Sequence, residues 1–302
     1  VAINNHFLGA TFVVMSSAGF AIGPALAIKA YESDANALGV MCVRFTMASI
    51  GLAILRYFLA RHHPWPTLRS FLEMFIVGGF LITFTSLSYF IAIDTIDTGL
   101  AIVVFYLNPV FVLIATWAIY KRRPHRSPVL ALCVTLLGVF ISVGKIGRSD
   151  TPAFVLVVAS ALTFTLYLLL MSRTLAKIDL ITASMLLNSG AALGYWLFAL
   201  VAPSSLSVAY PQASRGWWFI VALALFGTIF PITCSFEGIK RVGPSMVSII
   251  TTVEPIFSIA IGIAILGESM TLNRAVGATF VIGALVALAI TKSRTEVPAA
   301  HQ

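Results

Sequence analysis

Charge is what this sequence has least of. Only 10% of its 302 residues are Asp, Glu, Lys or Arg, against about 25% in a soluble globular domain. With 59% hydrophobic residues, the chain cannot cover a water-facing surface. That excludes a soluble enzyme or binding module and makes lipid the solvent. Metal and redox spacings are missing too. Cys42, Cys133 and Cys234 lie singly inside apolar runs, so they read as packing residues with no disulfide. His6, His62, His63, His125 and His301 fall in loops or tails, and Asp34, Asp94, Asp97, Asp150 and Asp179 fall at segment ends. The pair His62-His63 lacks a third metal ligand. There is no HExxH, no GxSxG and no phosphate-binding loop. An intramembrane hydrolase needs its catalytic groups at depth, and an ATP-driven pump needs a phosphate loop. The absences count against both, and no cofactor or metal is expected.

What is present is a series of apolar segments, with a mean hydropathy of +0.99. Crossing about 30 Å of hydrocarbon takes roughly 20 such residues as a helix. Ten spans are expected, near 7–28, 35–59, 70–92, 98–120, 128–145, 153–172, 181–202, 217–237, 243–266 and 273–291. The first segment has no basic region before it and is long, so it reads as a span rather than a cleaved leader. The chain begins at Val1 without an initiator Met, which suggests a trimmed sequence.

The net charge of +8 reflects basic loops rather than a nucleic-acid partner. With the N-terminus in the cytoplasm, the inside loops hold Arg56, Arg61, Arg69, Lys121, Arg122, Arg123, Arg126, Arg173, Lys177, Lys240, Arg241, Lys292 and Arg294. The outside loops hold Lys29, Lys145, Arg148, Arg215 and Arg274. Thirteen against five predicts both termini inside, in a bacterial inner membrane.

The two halves repeat. At an offset of 146 residues, Phe80, Phe84, Phe90, Ile93, Pro109, Phe111 and Ile119 fall on Phe226, Phe230, Phe236, Ile239, Pro255, Phe257 and Ile265. The first and sixth segments also match, Val13, Val14, Ser16 and Phe20 against Val157, Val158, Ser160 and Phe164. The expected units are therefore 1–147 and 148–302, each of five spans. Five is odd, so the second half is expected to be inverted. Inverted repeats mark secondary transporters, whose substrate site lies near the midplane between the repeats. Some channels share the feature.

Ionisable groups at depth are costly, about 2.5–3.5 kcal/mol at the bilayer centre. Arg44 and Glu254 lie nine and eleven residues into their spans, roughly 15 Å deep, and should face the interior or a watery cavity. For Arg44 the alternatives are a structural tie to backbone carbonyls and a substrate ligand. For Glu254 they are a cap on a helix kink, a ligand for a cation, and a proton carrier. Asn108-Pro109 and Glu254-Pro255 are mates under the repeat. Each proline frees a carbonyl four residues back, that of Phe105 or Thr251, for a ligand, a hinge or a capped kink. Pro231 and Gly23-Pro24 are further breakers and candidate hinges. Tyr89, Tyr106 and Tyr167 carry hydroxyls within spans and need partners away from lipid. With the repeated pair Phe84 and Phe230 they complete the candidate substrate-binding set. Trp217-Trp218 reads as an interfacial belt. Gly19-xxx-Gly23 and Gly190-xxx-Gly194 mark close helix packing.

The stretch from Pro244 to Ala289, with Glu254-Pro255, Gly267-Glu268, Gly277 and Gly283, resembles the C-terminal signature of the EamA-type drug/metabolite transporters. Asn108-Pro109, Lys121 and Gly138 form a weaker first-half copy, and Arg44-Phe45 also resembles that family's pattern. Where the family often has Trp-Gly in its first span, this chain reads Ala18-Gly19-Phe20, so no ligand is carried over there. The resemblance implies an all-α membrane protein of ten helices, two inverted five-helix repeats around a central cavity. It also implies export of small metabolites such as amino acids, or of cationic drugs. Amino acids fit the residues, since a zwitterion asks for one cation, one anion and an apolar wall, and Arg44, Glu254 and many rings are available. The rival is a quaternary-cation exporter with Glu254 in an aromatic cage. A channel would need a continuous polar stripe that these spans lack. Oligomeric state is left open between monomer and homodimer.

Overall fold

A computed structural model describes residues 2–93, 101, 104–121, 126–143, 151–202, 207–267 and 271–295. Asp94, Asp97, Arg122, Arg123, His125, Lys145, Arg148, Asp150, Glu268 and His301 lie outside the described residues. Among the described residues every regular element is helical. Lipid imposes this, because a helix satisfies its backbone polar groups within one segment.

The order is α1 (Ala2–Tyr31), α2 (Ala37–Leu55) prolonged by a π-helical turn (Arg56–Ala60), then α3 (Leu68–Leu72) running through a second π turn (Glu73–Gly78) into α4 (Gly79–Ile93). There follow α5 (Asn108–Tyr120), α6 (Arg126–Val143), α7 (Thr151–Leu175) and α8 (Leu180–Val201). Helix α9 (Ser214–Ala224) passes through a third π turn (Leu225–Ile229) into α10 (Phe230–Ile250), and a 3₁₀ turn (Thr251–Val253) leads to α11 (Glu254–Leu266). The last helix is α12 (Leu272–Thr295). Local chemistry starts several of them. The side chains of Asn36, Thr67 and Asp179 accept from the backbone N–H groups of Gly39, Ser70 and Thr182, each satisfying one orphan donor of a first turn.

Among the described residues six runs are long and apolar enough to cross a membrane: Asn5–Tyr31, Ala37–Ala60, Leu68–Tyr89, Thr151–Leu175, Leu180–Val201 and Ser214–Ile265. Asn108–Ile119, Val129–Ile141 and Ala275–Ala284 are shorter apolar helices. The helices overrun the expected spans by a few residues at several ends, because helical hydrogen bonding continues past the hydrocarbon edge. The run Ser214–Ile265 has 52 residues, about 78 Å if it were one straight helix, far more than about 30 Å of hydrocarbon. It breaks at Gly243, whose φ of 78° and ψ of 164° are non-helical and suit only a residue without Cβ.

Packing follows a paired pattern. Helix α1 lies along α10, α4 along α7, α2 along α8, and α6 along α12. Two hydrogen bonds repeat the pattern in detail. Ser16 Oγ donates to the Pro231 carbonyl at 2.7 Å, and Ser160 Oγ donates to the Thr85 carbonyl at 2.7 Å. Ser16 and Ser160 were matched by sequence, and Thr85 and Pro231 stand 146 residues apart. A close backbone approach joins α8 to the second π turn and the start of α4, where a Cβ on Gly190 would collide with the Phe75 carbonyl and one on Gly79 with the backbone of Gly190. Beside it Met74, Leu168, Met171, Leu175 and Leu187 form a buried core.

Further polar contacts tie the helices together at two ends. At one, Arg241 donates to Asn5, Lys240 to the Ile178 carbonyl and Thr174 to Glu73. At the other, the Asn36 side chain donates to the Ser207 carbonyl and Gln212 N–H to the Ser33 carbonyl.

Candidate functional site

The site is built where two helices restart. Helices α5 and α11 each have 13 residues, begin at Asn108 and Glu254 with proline second, and end on left-handed caps at Lys121 (φ 55°) and Gly267 (φ 70°). Starts and caps alike are 146 residues apart. Thirteen residues rise about 20 Å, so each of these helices alone is shorter than the roughly 30 Å apolar layer.

Proline explains the breaks. Pro109 has no N–H for the Phe105 carbonyl, and Asn108 Nδ2 donates to that carbonyl instead, at 2.9 Å. On the other side the Thr251 carbonyl accepts from the backbone N–H of Glu254. An ionised carboxylate has only acceptors, so the Glu254 side chain cannot serve Thr251 as the Asn108 amide serves Phe105.

Both residues border a cavity of about 40 Å³ whose wall also includes Phe20, Phe105, Phe164, Ser235 and Thr251. One water needs about 10–15 Å³ on this scale, so in this state the cavity has room for a few waters and not for a metabolite. Three pairs of lining residues are mates under the repeat: Asn108 with Glu254, Phe105 with Thr251, and Phe20 with Phe164. The lining rings Phe105 and Phe164 are backed by Tyr89 and Tyr167, which are not themselves in the lining. The Phe105 ring meets Tyr89 edge-on at 5.5 Å and Phe164 at 5.5 Å, and Phe164 stacks on Tyr167 at 5.8 Å. Tyr106 lines the cavity directly.

The other sequence candidates lie elsewhere. Phe84 and Phe230, 50% and 39% exposed, are not in the lining. Arg44 is absent from it too. Its Nε donates to Thr228 Oγ1 at 2.5 Å and its Nη2 to the Gly227 carbonyl at 2.7 Å, and its guanidinium lies 5.2 Å from the Phe45 ring centroid. Gly227 and Thr228 belong to the third π turn, and such a turn interrupts the usual ladder of the helix. Of the breakers, Pro109 and Pro255 sit one residue past the restarts, while Pro231 packs on Gly19 and Gly23 approaches Gly227. Pro24 lies inside α1 without ending it. Leu168, Ser235 and Val247 line the cavity although nothing in the sequence marks them. Phe20 and Phe164 were marked only as repeat mates, and that was the available signal.

Among the described residues no group of three His, Cys, Asp or Glu could hold a metal. The arrangement offers a carboxylate, an amide, three hydroxyls and aromatic faces. Residues 7–144 and again 151–290 match the EamA-like transporter family.

The chain belongs to this family.

Relatives of this EamA-family chain agree. It is 27% identical over 250 residues to the uncharacterized transporter YojE of Bacillus subtilis, covering 79% of this chain and 80% of that one. It is 23% identical over 232 residues to the uncharacterized inner membrane transporter YedA of Escherichia coli, covering 76% and 74%. An uncharacterized transporter of Archaeoglobus fulgidus is 24% identical over 257 residues, covering 85% and 90%. One crystal structure superposes with a TM-score of 0.77 over 95% of this chain and 99% of its own, at 16% identity, a likeness of fold. The protein is thus a multi-pass membrane transporter.

Arg44→Ala is expected to cost stability rather than affinity. Losing hydrogen bonds from a charged donor costs about 1.5–3 kcal/mol, so the melting temperature in detergent should fall while substrate affinity stays within about twofold. A lost affinity at unchanged melting temperature would make Arg44 a ligand.

Proposed function

We propose that this protein is a secondary exporter of small amine-bearing metabolites, amino acids foremost. It would work by alternating access of two inverted five-helix halves around the cavity at Asn108 and Glu254. The observation that carries the reading is the cavity wall, where three pairs of repeat mates meet around one carboxylate. A pocket lining itself with equivalent positions of two halves is what a site between repeats requires. The exchanged pairing of α1 with α10 and α4 with α7, and the duplicated serine bonds, support the inverted repeat. Ten crossings follow if the break at Gly243 divides the long run and the shorter helices also cross. The cavity's small volume implies that the halves separate to admit a substrate. Candidate roles are Glu254 for the ammonium, Asn108 and Tyr106 as polar partners, Tyr89 and Tyr167 as supports of the aromatic wall, and Pro109 and Pro255 as hinges.

Arg44 contributes no charge to this cavity, and among its described lining residues none is cationic. That observation favours a second reading, an exporter of organic cations, in which the rings face the cation and no carboxylate need be held. Counterflow in proteoliposomes separates the two: labelled amino acid should exchange against unlabelled amino acid on the first reading, and labelled organic cation against unlabelled organic cation, with no amino-acid exchange, on the second. Exchange of neither rejects both.

Both termini are proposed to be cytoplasmic. The basic residues Lys240 and Arg241 lie at the same end as Asn5, and the opposite end is tied by uncharged Asn36 and Gln212, in line with the positive-inside rule. Reporter fusions after Gln302 and within residues 203–216 should report opposite sides, and a shared side would refute the orientation.

A further inference from the structure

Asn108 and Glu254 occupy equivalent positions yet do different work, and the difference points to the ligand. The Asn108 amide cannot be turned over. Its nitrogen donates to the Phe105 carbonyl at 2.9 Å, and the reversed amide would set oxygen against oxygen. Its Oδ1 is thereby directed away from Phe105. That oxygen is buried without a hydrogen-bond partner in a residue only 2% exposed, on the wall of the cavity that Glu254 also lines. A native protein rarely leaves such a group unmet, and an unmet one calls for a function or a bound partner. Opposite it in the repeat stands a carboxylate, which also only accepts when ionised. Ser235, Thr251 and Tyr106 add hydroxyls, and the remaining described wall is apolar.

An unmet amide oxygen and a carboxylate on one cavity wall, among hydroxyls of which none is bonded to that oxygen, ask for a ligand that is cationic and carries N–H groups. We propose, on the transporter reading above, that the cavity recognises a protonated primary or secondary amine, with N–H bonds to both Asn108 Oδ1 and the Glu254 carboxylate. It rejects the corresponding quaternary ammonium. A primary ammonium has three donors and can meet both acceptors at once. A quaternary ammonium brings the same charge and can enjoy the same rings, but it leaves Asn108 Oδ1 as unmet as before and pushes methyl groups against it. Sites built to hydrogen-bond a ligand reject analogues lacking the donor far more strongly than apolar pockets reject an extra methyl. Asn108 is thus the residue that separates amines from quaternary drugs, and Glu254 the one that attracts both.

The test uses the full-length protein in detergent and four probes: 2-phenylethylammonium and its N-methyl, N,N-dimethyl and N,N,N-trimethyl derivatives. Affinity for each is read by calorimetry. Wild type should bind the first two comparably and the trimethyl probe about tenfold or more weakly. Asn108→Leu should weaken the primary amine and bring the series within about threefold. Because that variant also strips the donor from Phe105, Asn108→Ser is measured beside it. Serine can still donate to Phe105 but holds its oxygen back from the cavity, so it should flatten the series while keeping the wild-type melting temperature. A trimethyl probe bound as tightly as the primary amine by wild type overturns the proposal, as does binding of none of the four. Selective binding without any counterflow would instead sink the transport reading and leave the recognition standing.

Discussion

Glu254→Gln is expected to abolish or strongly reduce transport by the reconstituted protein while leaving it folded and inserted. The geometry makes this substitution informative. Glutamine carries N–H donors, so at position 254 it can serve the Thr251 carbonyl in the way Asn108 Nδ2 serves Phe105. A purely structural role therefore survives the change, and only the charge is lost. Losing a charge-assisted hydrogen bond costs about 1.5–3 kcal/mol, or roughly ten- to a hundredfold in substrate affinity. Losing one neutral capping bond costs nearer 1 kcal/mol. Two functional roles separate under a pH gradient. If Glu254 carries a proton, wild-type net export follows an imposed gradient, and the variant keeps exchange but loses net export. If Glu254 only holds the cation, the variant loses binding at every pH. Substrate binding and liposome uptake at two pH values, with and without a gradient, decide among these. Wild-type behaviour of the variant in every condition would make Glu254 a structural group.

Gly190→Ala is expected to be the most damaging alanine substitution among the described glycines. The new Cβ would occupy the place of the Phe75 carbonyl oxygen, and the Gly79 Cα lies 3.1 Å from it. Both neighbours are backbone, so no side chain can turn aside. Helix α8 must back away from α4, and that opens the core holding Met74, Met171 and Leu187. Overpacking of this kind costs about 1–3 kcal/mol and sometimes more, which should lower the melting temperature in detergent by on the order of 5 °C. Gly283→Ala is the control, since a Cβ there meets nothing within 4 Å and alanine favours the helix. Thermal unfolding of both variants checks the pair. Equal losses would show that the effect comes from a general sensitivity to detergent and not from the α4–α8 contact.

Much of the site was written in the offset of 146 residues. It paired Pro109 with Pro255 and so anticipated two matched restarts. The structure adds that the matching extends to the far ends, Lys121 with Gly267, and to the wall, Phe105 with Thr251. The Phe105 carbonyl could be named as freed, because proline lacks a donor wherever it stands. That Asn108 would cap it was not legible, since an amide beside a freed carbonyl can equally point into a cavity. Phe84 and Phe230 matched as well as any pair, yet neither is in the cavity wall. Recurrence shows that two positions are equivalent without showing which way they face.

Arg44 and Glu254 mark the boundary between what the chain alone determined and what the tertiary structure decided. Low charge and long apolar runs determined a helical membrane protein, because lipid leaves a single-chain backbone few other ways to satisfy its polar groups. Counting residues into each span determined that both charges are deep, because rise per residue is fixed. Depth says nothing about rotation around the helix axis. In a soluble helix a polar face reveals that rotation, but a lipid-facing side chain and a core side chain are both apolar, so the signal is flat. Packing settled it. Arg44 turns toward the π turn at Gly227 and Thr228, while Glu254, whose backbone N–H and not its ionised side chain meets the Thr251 carbonyl, lines the cavity with Asn108.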